Sequence, residues 1–350
     1  MTRPLTVLCA GDAFITADAL AAQVHAQLAD LGELTVLTTA SDWPDEAFGD
    51  VDGVREAAGD PDEFARLAAE ADVIVTHLAP VTARVIQGAD RLRIIGSVRG
   101  GPVNIDIAAA TAAGVPVAYL PGRNLTAAAE FTVGMMIAVT RNIGPGSHQL
   151  IDGTWNGSYY RYELAGPELG HATVGLVGFG AIGAHVTRLL RAFGATVLVF
   201  DPYADPARIT AEGAQPVELD DLLGRCDIVS LHPRLTPQTS GMADTAFFGK
   251  LRPGAFFVNT ARGELVVTDD LVAALQSGQV AGAALDVFDP EPPPPGSPLL
   301  AHPRVVATPH LAGASRRVAD FSAEAVVAAV GTYLRDGTLQ HCANPEVLGS

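Results

Sequence analysis

Short runs of β-branched and other apolar residues alternate with longer Ala/Leu-rich stretches almost from one end of the chain to the other. "LTVLCAG" (5–11) is followed by a helical pattern near 16–30 and then by "ELTVLTT". "DVIVTHL" (72–78), "RLRIIGSV" (91–98) and "GVPVAYL" (114–120) continue the alternation. A long helical stretch, about 125–152, comes next. The same grammar then resumes with "TVGLVGFG", "TVLVFDP", "CDIVSLHP", "GAFFVNT" and "AGAALDVF". Continuous apolar strands alternating with helices predict parallel sheets covered on both faces. Two such series, separated by one helical stretch, predict two doubly wound α/β domains. The last helical stretch, about 314–335, ends at "DGT" and returns the chain to the first domain. That makes the first domain discontinuous, 1–120 with 314–350, and leaves 121–313 as the second. "EPPPPGSP" (291–298) reads as a linker by composition or, because proline fixes φ, as a stiff loop holding its first residue in place.

Composition narrows the class. A chain of 350 residues, 48% apolar and 17% charged, is globular and long enough for two cores. The net charge of −17 argues against nucleic acid or an anionic membrane as partner. It does not argue against a small anionic substrate, because local arginines override the global field; on its own, acidity serves solubility. Cys9, Cys226 and Cys342 form no CxxC pair, so neither a disulfide framework nor a thiolate metal site is expected, and no metal. The start "MTRPLTVLCAGD" lacks a basic region, a long apolar run and a small-residue cleavage site, and no apolar stretch reaches the length of a membrane span. A soluble, cytoplasmic protein is the expectation.

"TVGLVGFGAIGAHVTRLL" sets Gly178, Gly180 and Gly183 directly after an apolar strand and at the start of a helix. A lone GxGxxG is weak, but here a second strand, "TVLVFD", ends in Asp201 at the spacing of a dinucleotide site. The first glycine permits the turn, the second lets backbone approach a pyrophosphate, and the third permits close helix packing. The helix N-terminus then offers amide donors to the phosphates. Asp201 would accept both ribose hydroxyls and repel a 2′-phosphate; Pro202 and Tyr203 follow, with no cation to receive one. NAD is therefore expected over NADP.

Three later segments are polar islands at strand ends: "NTARGELV" with Arg262, "LDVFDPEP" with Asp286 and Glu291, and "ATPHLAG" with His310. A doubly wound fold binds ligands beyond the carboxyl ends of its strands, so these residues should converge near the nicotinamide. Singly, each has a plain alternative: Arg262 as a surface cation, Glu291 as a linker residue, His310 as a hinge residue with a satisfied hydrogen bond.

Taken together, these segments resemble the D-isomer-specific 2-hydroxyacid dehydrogenases. The similarity also takes in "NIDIAAATAAGVPVAYLPGRN", "AAEFTVGMMIAVTRNI" and "LHPRLTPQT", in family order over nearly the whole chain. The resemblance implies a flavodoxin-like substrate domain and a Rossmann NAD-binding domain, with the cleft between them closing to exclude water. It implies His310 as general acid/base, Glu291 orienting the imidazole and raising its pKa, and Arg262 gripping the substrate carboxylate. It implies Asp286 at the nicotinamide carboxamide and Thr260 and Ala261 lining the cofactor. Phe179, Ala181, Ile182, His232, Thr239 and Gly313 join the glycines, Asp201 and Pro202 as cofactor contacts by the same likeness. A homodimer built on the long helix is likewise implied.

Within the family, formate dehydrogenases pair the histidine with glutamine, so Glu291 argues against formate. Arg234 stands where relatives commonly have proline, in "HPRLT", and reads either as an anion contact or as a solvent-exposed rim arginine. "SVRGGPVNID" (97–106) occupies the place of the Gly-rich loop whose amides bind the substrate carboxylate. Phosphoglycerate dehydrogenases tend to carry arginine where this chain has Ser97 and about Thr76; here Arg99 and His77 are nearby instead. Arg99, Gly100, Gly101, His77 and Asn124, with Arg262, are therefore the expected substrate contacts, and Arg99 is the candidate reader of a further polar or anionic group. "WNGSYYRYELAGPEL" (155–169) reads as an interface arm, or as a segment that delivers Tyr160 or Arg161 to a neighbouring active site. The chain stops shortly after "CANPEVL", so no appended serine-sensing domain is expected. The implied activity is NAD-dependent interconversion of a small anionic D-2-hydroxy acid and its 2-oxo acid. The alternative is an NAD(H)-sensing, corepressor-like binding protein.

Overall fold

The computed structural model describes residues 3–41 and 49–349. Two compact units divide the chain: Met1–Asn124 with Ala314–Ser350, and Leu125–Gly313.

Unit 1 begins with β1 (Leu5–Gly11), whose alternate residues serve two faces. Leu8 and Ala10 enter one apolar core while Val7 and Cys9 enter the other. Helix α1 (Ala17–Leu28), capped by the Thr16 hydroxyl, covers one face and leads to β2 (Leu34–Ala40). A two-stranded antiparallel hairpin, β3 (Gly49–Val51) and β4 (Val54–Ala57), turns through Asp52 and Gly53, both at positive φ. The main sheet continues with β5 (Val73–Thr76), β6 (Ile94–Ser97) and β7 (Val117–Ala118). Helices α2 (Pro61–Ala68), α3 (Ala83–Gln87) and α4 (Ile107–Ala112) connect them. All its pairings are parallel, in the order β2-β1-β5-β6-β7. The C-terminal helix Arg316–Asp336 packs beside α1 on the same face, through Val326, Val327 and Val330. Beyond it, the buried Asn344 side chain accepts from Val117 N–H and donates to the Val115 carbonyl, each at 2.9 Å.

Unit 2 opens with α5 (Leu125–Thr140) and α6 (Ile143–Ile151). The single helix expected over 125–152 is thus two. Asn142 sits in the left-handed region (φ 54°), where asparagine is tolerated, and its amide donates to the Leu164 carbonyl. Seven strands follow: β8 (Thr173–Val177), β9 (Thr196–Phe200), β10 (Gln215–Pro216), β11 (Ile228–Leu231), β12 (Ala255–Asn259), β13 (Val280–Leu285) and β14 (Val305–Ala307). They are parallel, in the order β10-β9-β8-β11-β12-β13-β14, the doubly wound Rossmann arrangement. Phe256 and Val258 of β12 face the core under α5, while Ala255 and Phe257 face the opposite core. The helices are α7 (Ala181–Phe193), α8 (Pro206–Ala211), α9 (Leu219–Arg225), α10 (Thr245–Lys250) and α11 (Thr268–Ser277). The proline-rich stretch 291–298 lies inside unit 2 as a mostly exposed loop with Ser297 buried, so it does not link the two units.

The tail anchor generates a stability prediction. Asn344→Ala leaves a buried N–H and a buried C=O of the β7 segment unpaired. Unit 1 should lose about 1–3 kcal/mol, read as a lower denaturant midpoint in its unfolding transition. An unchanged midpoint would remove Asn344 from the fold's support.

Candidate active site

The glycine loop joins β8 to α7 in unit 2. A Cβ on Gly178 (φ 99°) would meet the His232 backbone at 2.8 Å, and one on Gly183 would meet the Gly178 carbonyl at 2.5 Å. Both glycines are required by the protein's own packing. Gly180 differs: a Cβ there meets nothing within 4 Å. Gly180 also caps α7 without any side-chain hydrogen bond, leaving the first N–H groups of a 13-residue helix for another acceptor. An open approach over Gly180 facing unmatched donors is what a pyrophosphate needs, and it satisfies a dinucleotide on the structure's own terms. Ala181 and Ile182 start the helix. Phe179 is buried in the core, so only its backbone belongs to the loop.

Asp201, at the end of β9, accepts from Phe179 N–H at 2.6 Å with one oxygen and from Tyr203 and Ala204 N–H with the other. It therefore ties the glycine turn to the neighbouring strand, and Pro202 beside it is exposed. His232, whose backbone abuts Gly178, bonds Ser230 Oγ at 3.0 Å, and burial pushes its pKa down to about 4. It is a neutral group at working pH. The Thr239 hydroxyl is engaged within the 234–239 turn, donating to the Arg234 carbonyl at 2.6 Å. Arg234 itself is exposed.

The ends of β12, β13 and β14 carry the catalytic candidates. Asn259, buried at the end of β12, accepts from Ala261 N–H and donates to the Arg262 carbonyl, which shapes the turn presenting Arg262. The Arg262 side chain is exposed and donates to the Ala261 carbonyl. Gly263 is demanded by packing, since a Cβ would fall 1.8 Å from the Phe288 carbonyl. That close approach sets the Arg262 turn against the segment leading to Glu291. Thr260 shares a hydroxyl hydrogen bond of 2.7 Å with Thr132 of α5.

Asp286 is fully buried after β13. Its carboxylate accepts from Thr308 Oγ1, Leu311 N–H and Ala312 N–H at 2.6–2.8 Å. These bonds clamp the 308–312 loop, which ends unit 2 at Gly313. Within the loop His310 is held at φ 53°, a left-handed conformation uncommon for histidine, with its N–H on the Asp286 carbonyl. The clamp holds that strained backbone in place, and the imidazole Nδ1 meets Glu291 Oε2 at 3.2 Å. The hydrogen bond to Glu291 raises the His310 pKa above its ordinary value, against burial and the nearby Arg262 charge. Arg262, Glu291 and His310 thus form one cluster.

Unit 1 gathers the remaining expected residues at the carboxyl ends of its strands. His77 follows β5 and is buried. Its Nδ1 donates to Asp12 Oδ2 at 2.6 Å, and its Nε2 accepts from Arg123 Nη2 at 3.2 Å. Arg99 follows β6; its guanidinium donates to the Glu56 carbonyl and pairs with the Glu56 carboxylate. Its own carbonyl accepts from Leu120 N–H. Gly100 and Gly101 continue the loop, and Asn124 closes this part of the unit. Tyr160 and Arg161 belong to unit 2, on an exposed turn. Asp12, Arg123 and Asn259 were missed in the sequence. The available signals were an aspartate directly after β1, in "AGDAF", and an arginine inside "LPGRN".

A family model described as "D-isomer specific 2-hydroxyacid dehydrogenase, NAD binding domain" matches residues 133–312. A D-3-phosphoglycerate dehydrogenase of Mycobacterium bovis is 40% identical over 277 residues; the match covers 78% of this chain and 51% of that protein. The chain thus spans about half the length of that relative. A glyoxylate reductase of Thermofilum pendens is 38% identical over 276 residues, covering 76% of this chain and 80% of the other. The crystal structure of the TT0316 protein from Thermus thermophilus superposes with a TM-score of 0.79 at 29% identity, over 97% of this chain and all of that one. Unit 2 is accordingly an NAD-binding domain. Among the described residues no helix is long and apolar enough to cross a membrane.

Asp201→Asn keeps an acceptor for Phe179 N–H and removes the charge. Preference for NADH over NADPH, measured as the ratio of dissociation constants, should narrow by about tenfold. An unchanged ratio would contradict a role for Asp201 in choosing the cofactor.

Proposed function

The chain belongs to the D-isomer specific 2-hydroxyacid dehydrogenase family, and on that premise we propose that it reduces a small 2-oxo acid to its D-2-hydroxy acid, and reverses the reaction, with NAD(H). The observation that supports this reading best is the cluster of His310, Glu291 and Arg262 in the same unit as the glycine loop. Bound NADH supplies the hydride. His310, whose hold on a proton Glu291 strengthens, gives that proton to the carbonyl oxygen as negative charge develops there. Arg262 binds the substrate carboxylate and polarises the carbonyl. In the oxidative direction the neutral imidazole takes the hydroxyl proton.

Asp286 serves as the clamp of the His310 loop, and a nicotinamide carboxamide is its proposed further partner. His232, Thr239, Thr260, Ala261 and Gly313 are assigned to the cofactor on the family likeness and on their places at strand ends. Arg99, Gly100, Gly101, His77 and Asn124 are assigned to substrate binding within unit 1. A homodimer is part of the proposal: α6 exposes Ile143, Leu150 and Ile151, and the arm after it exposes Trp155, Tyr160 and Tyr162. A cytoplasmic location completes it.

The test is NADH oxidation by the purified protein with a broad 2-oxo acid panel. Tight NADH binding without oxidation of any acid would instead favour an NADH sensor. His310→Ala should lower kcat by about 10²-fold or more while NADH affinity is kept; a near-normal rate would sink the assignment.

The raised His310 pKa carries a pH signature. Reduction consumes the imidazolium proton, so kcat/KM for reduction falls as pH rises through that value. Glu291→Gln removes the chief raising influence and should move the fall to lower pH. A profile that does not move would detach Glu291 from the histidine.

A further inference from the structure

The cation that the sequence singles out in unit 1, Arg99, already has a partner in the Glu56 carboxylate. Arg123, in the loop that follows β7, stands differently. Its Nη2 donates to His77 Nε2 at 3.2 Å and its Nη1 to Ser322 Oγ at 3.3 Å. Both partners are formally neutral, so the guanidinium is fixed in position while its charge is kept. The arrangement admits one proton placement. Arginine only donates and ionised Asp12 only accepts, so His77 carries its proton on Nδ1 and offers Nε2 to Arg123. Ser322 gives its own hydrogen to the Val318 carbonyl, leaving its oxygen for Arg123. Burial, and after it the nearby Arg99 charge, lower the Arg123 pKa to about 10, which leaves it cationic at neutral pH.

A half-buried cation that has no ion pair among the described residues is costly to hold. This one sits among the loops at the carboxyl ends of β1, β5, β6 and β7, where a doubly wound sheet receives ligands. We propose that Arg123 binds a second, distal anionic group of the substrate, a carboxylate or a phosphate, with His77 and Asp12 as its positioning residues. The inference rests on the 2-oxo acid reading for the substrate's identity, but the anion site in unit 1 is testable without turnover.

The first experiment follows thermal unfolding of the NADH-bound protein against inorganic phosphate and malonate. The wild type should gain stability with anion concentration, whereas Arg123→Gln should lose most of that gain while binding NADH normally. No anion-dependent shift, or an equal one in both proteins, overturns the proposal.

The second experiment compares matched acids: 2-oxoglutarate against 2-oxovalerate, and 3-phosphohydroxypyruvate against hydroxypyruvate. Arg123→Gln should raise KM for the dianionic member of one pair by roughly 10- to 100-fold and leave its uncharged-tail partner within about twofold. The pair affected tells carboxylate from phosphate. Equal effects within both pairs overturn the proposal, while failure of every acid with the wild type overturns the dehydrogenase reading instead. Asp12→Asn tests positioning through His77: it should reproduce the selective KM rise for the acid with the charged tail, and an unchanged KM ratio within the affected pair counts against the proposal. Should that variant unfold, Arg123→Lys, which keeps the charge and loses the fork geometry, should give an intermediate KM; wild-type KM there would also count against the proposal.

Discussion

The buried carboxylate of Asp286 is the contact on which the candidate catalytic cluster depends. Three short donors from the 308–312 loop converge on it, and the His310 N–H binds the carbonyl of the same residue. A left-handed histidine costs on the order of 1–3 kcal/mol and persists only where surroundings over-determine it. Hydrogen bonds to a charged group are each worth about 1.5–3 kcal/mol, so three of them exceed that cost. Without this clamp the loop would relax, and the imidazole would lose its line to Glu291. The proposed general acid is thus positioned by a residue that it does not touch with its ring.

The same device recurs at other strand ends. Asp201 after β9 gathers three backbone N–H groups and closes the glycine turn. Asp12 after β1 accepts from Phe14 and Ile15 N–H and from His77. Burial works against its ionisation, yet these hydrogen bonds hold its pKa below the usual carboxylate range. A parallel sheet ends each strand with loop amides that have no ladder partner, and an aspartate there satisfies several at once. A strand-end aspartate is therefore a scaffold element first, and a ligand contact only where an oxygen remains open.

Much of the fold was legible because its signals are local. The apolar runs of β1, β8, β11 and β12 alternate between two cores as a doubly covered sheet requires, and the glycine triplet sits where strand meets helix. The Asp52-Gly53 hairpin was not read from the sequence, because its strands, GDV and VREA, are too short and too polar to show a strand pattern. The break at Asn142 depends on the Leu164 carbonyl, 22 residues away, and no periodicity encodes that. Arg99 was legible as a cation but its pairing with Glu56 was not, because 43 residues separate the two. The His77–Asp12 bond spans 65 residues, and Arg123 acquires meaning only through it. Motifs expose residues whose neighbours lie in the same motif; charge matching across loops has to be seen in three dimensions.

Two histidines show how far environment separates identical side chains. Glu291 raises the pKa of the half-exposed His310, in the direction that the proposed role of proton donor requires. His77 is buried and its pKa is lowered, by burial first and then by the charges of Arg123 and Arg99, against the pull of Asp12. The linkage signs are opposite. The His310 pair contributes stability that is full below the unfolded value near 6.5 and is lost as pH rises through the raised one. His77 contributes nothing above 6.5; as pH falls below it, the unfolded chain takes up a proton that folded His77 resists, and stability declines. Acid therefore strains unit 1 while it favours the charged His310 of unit 2. The two imidazoles differ for that reason: Glu291 strengthens the hold of His310 on its proton, whereas His77 keeps Nε2 bare so that a half-buried arginine has somewhere to donate.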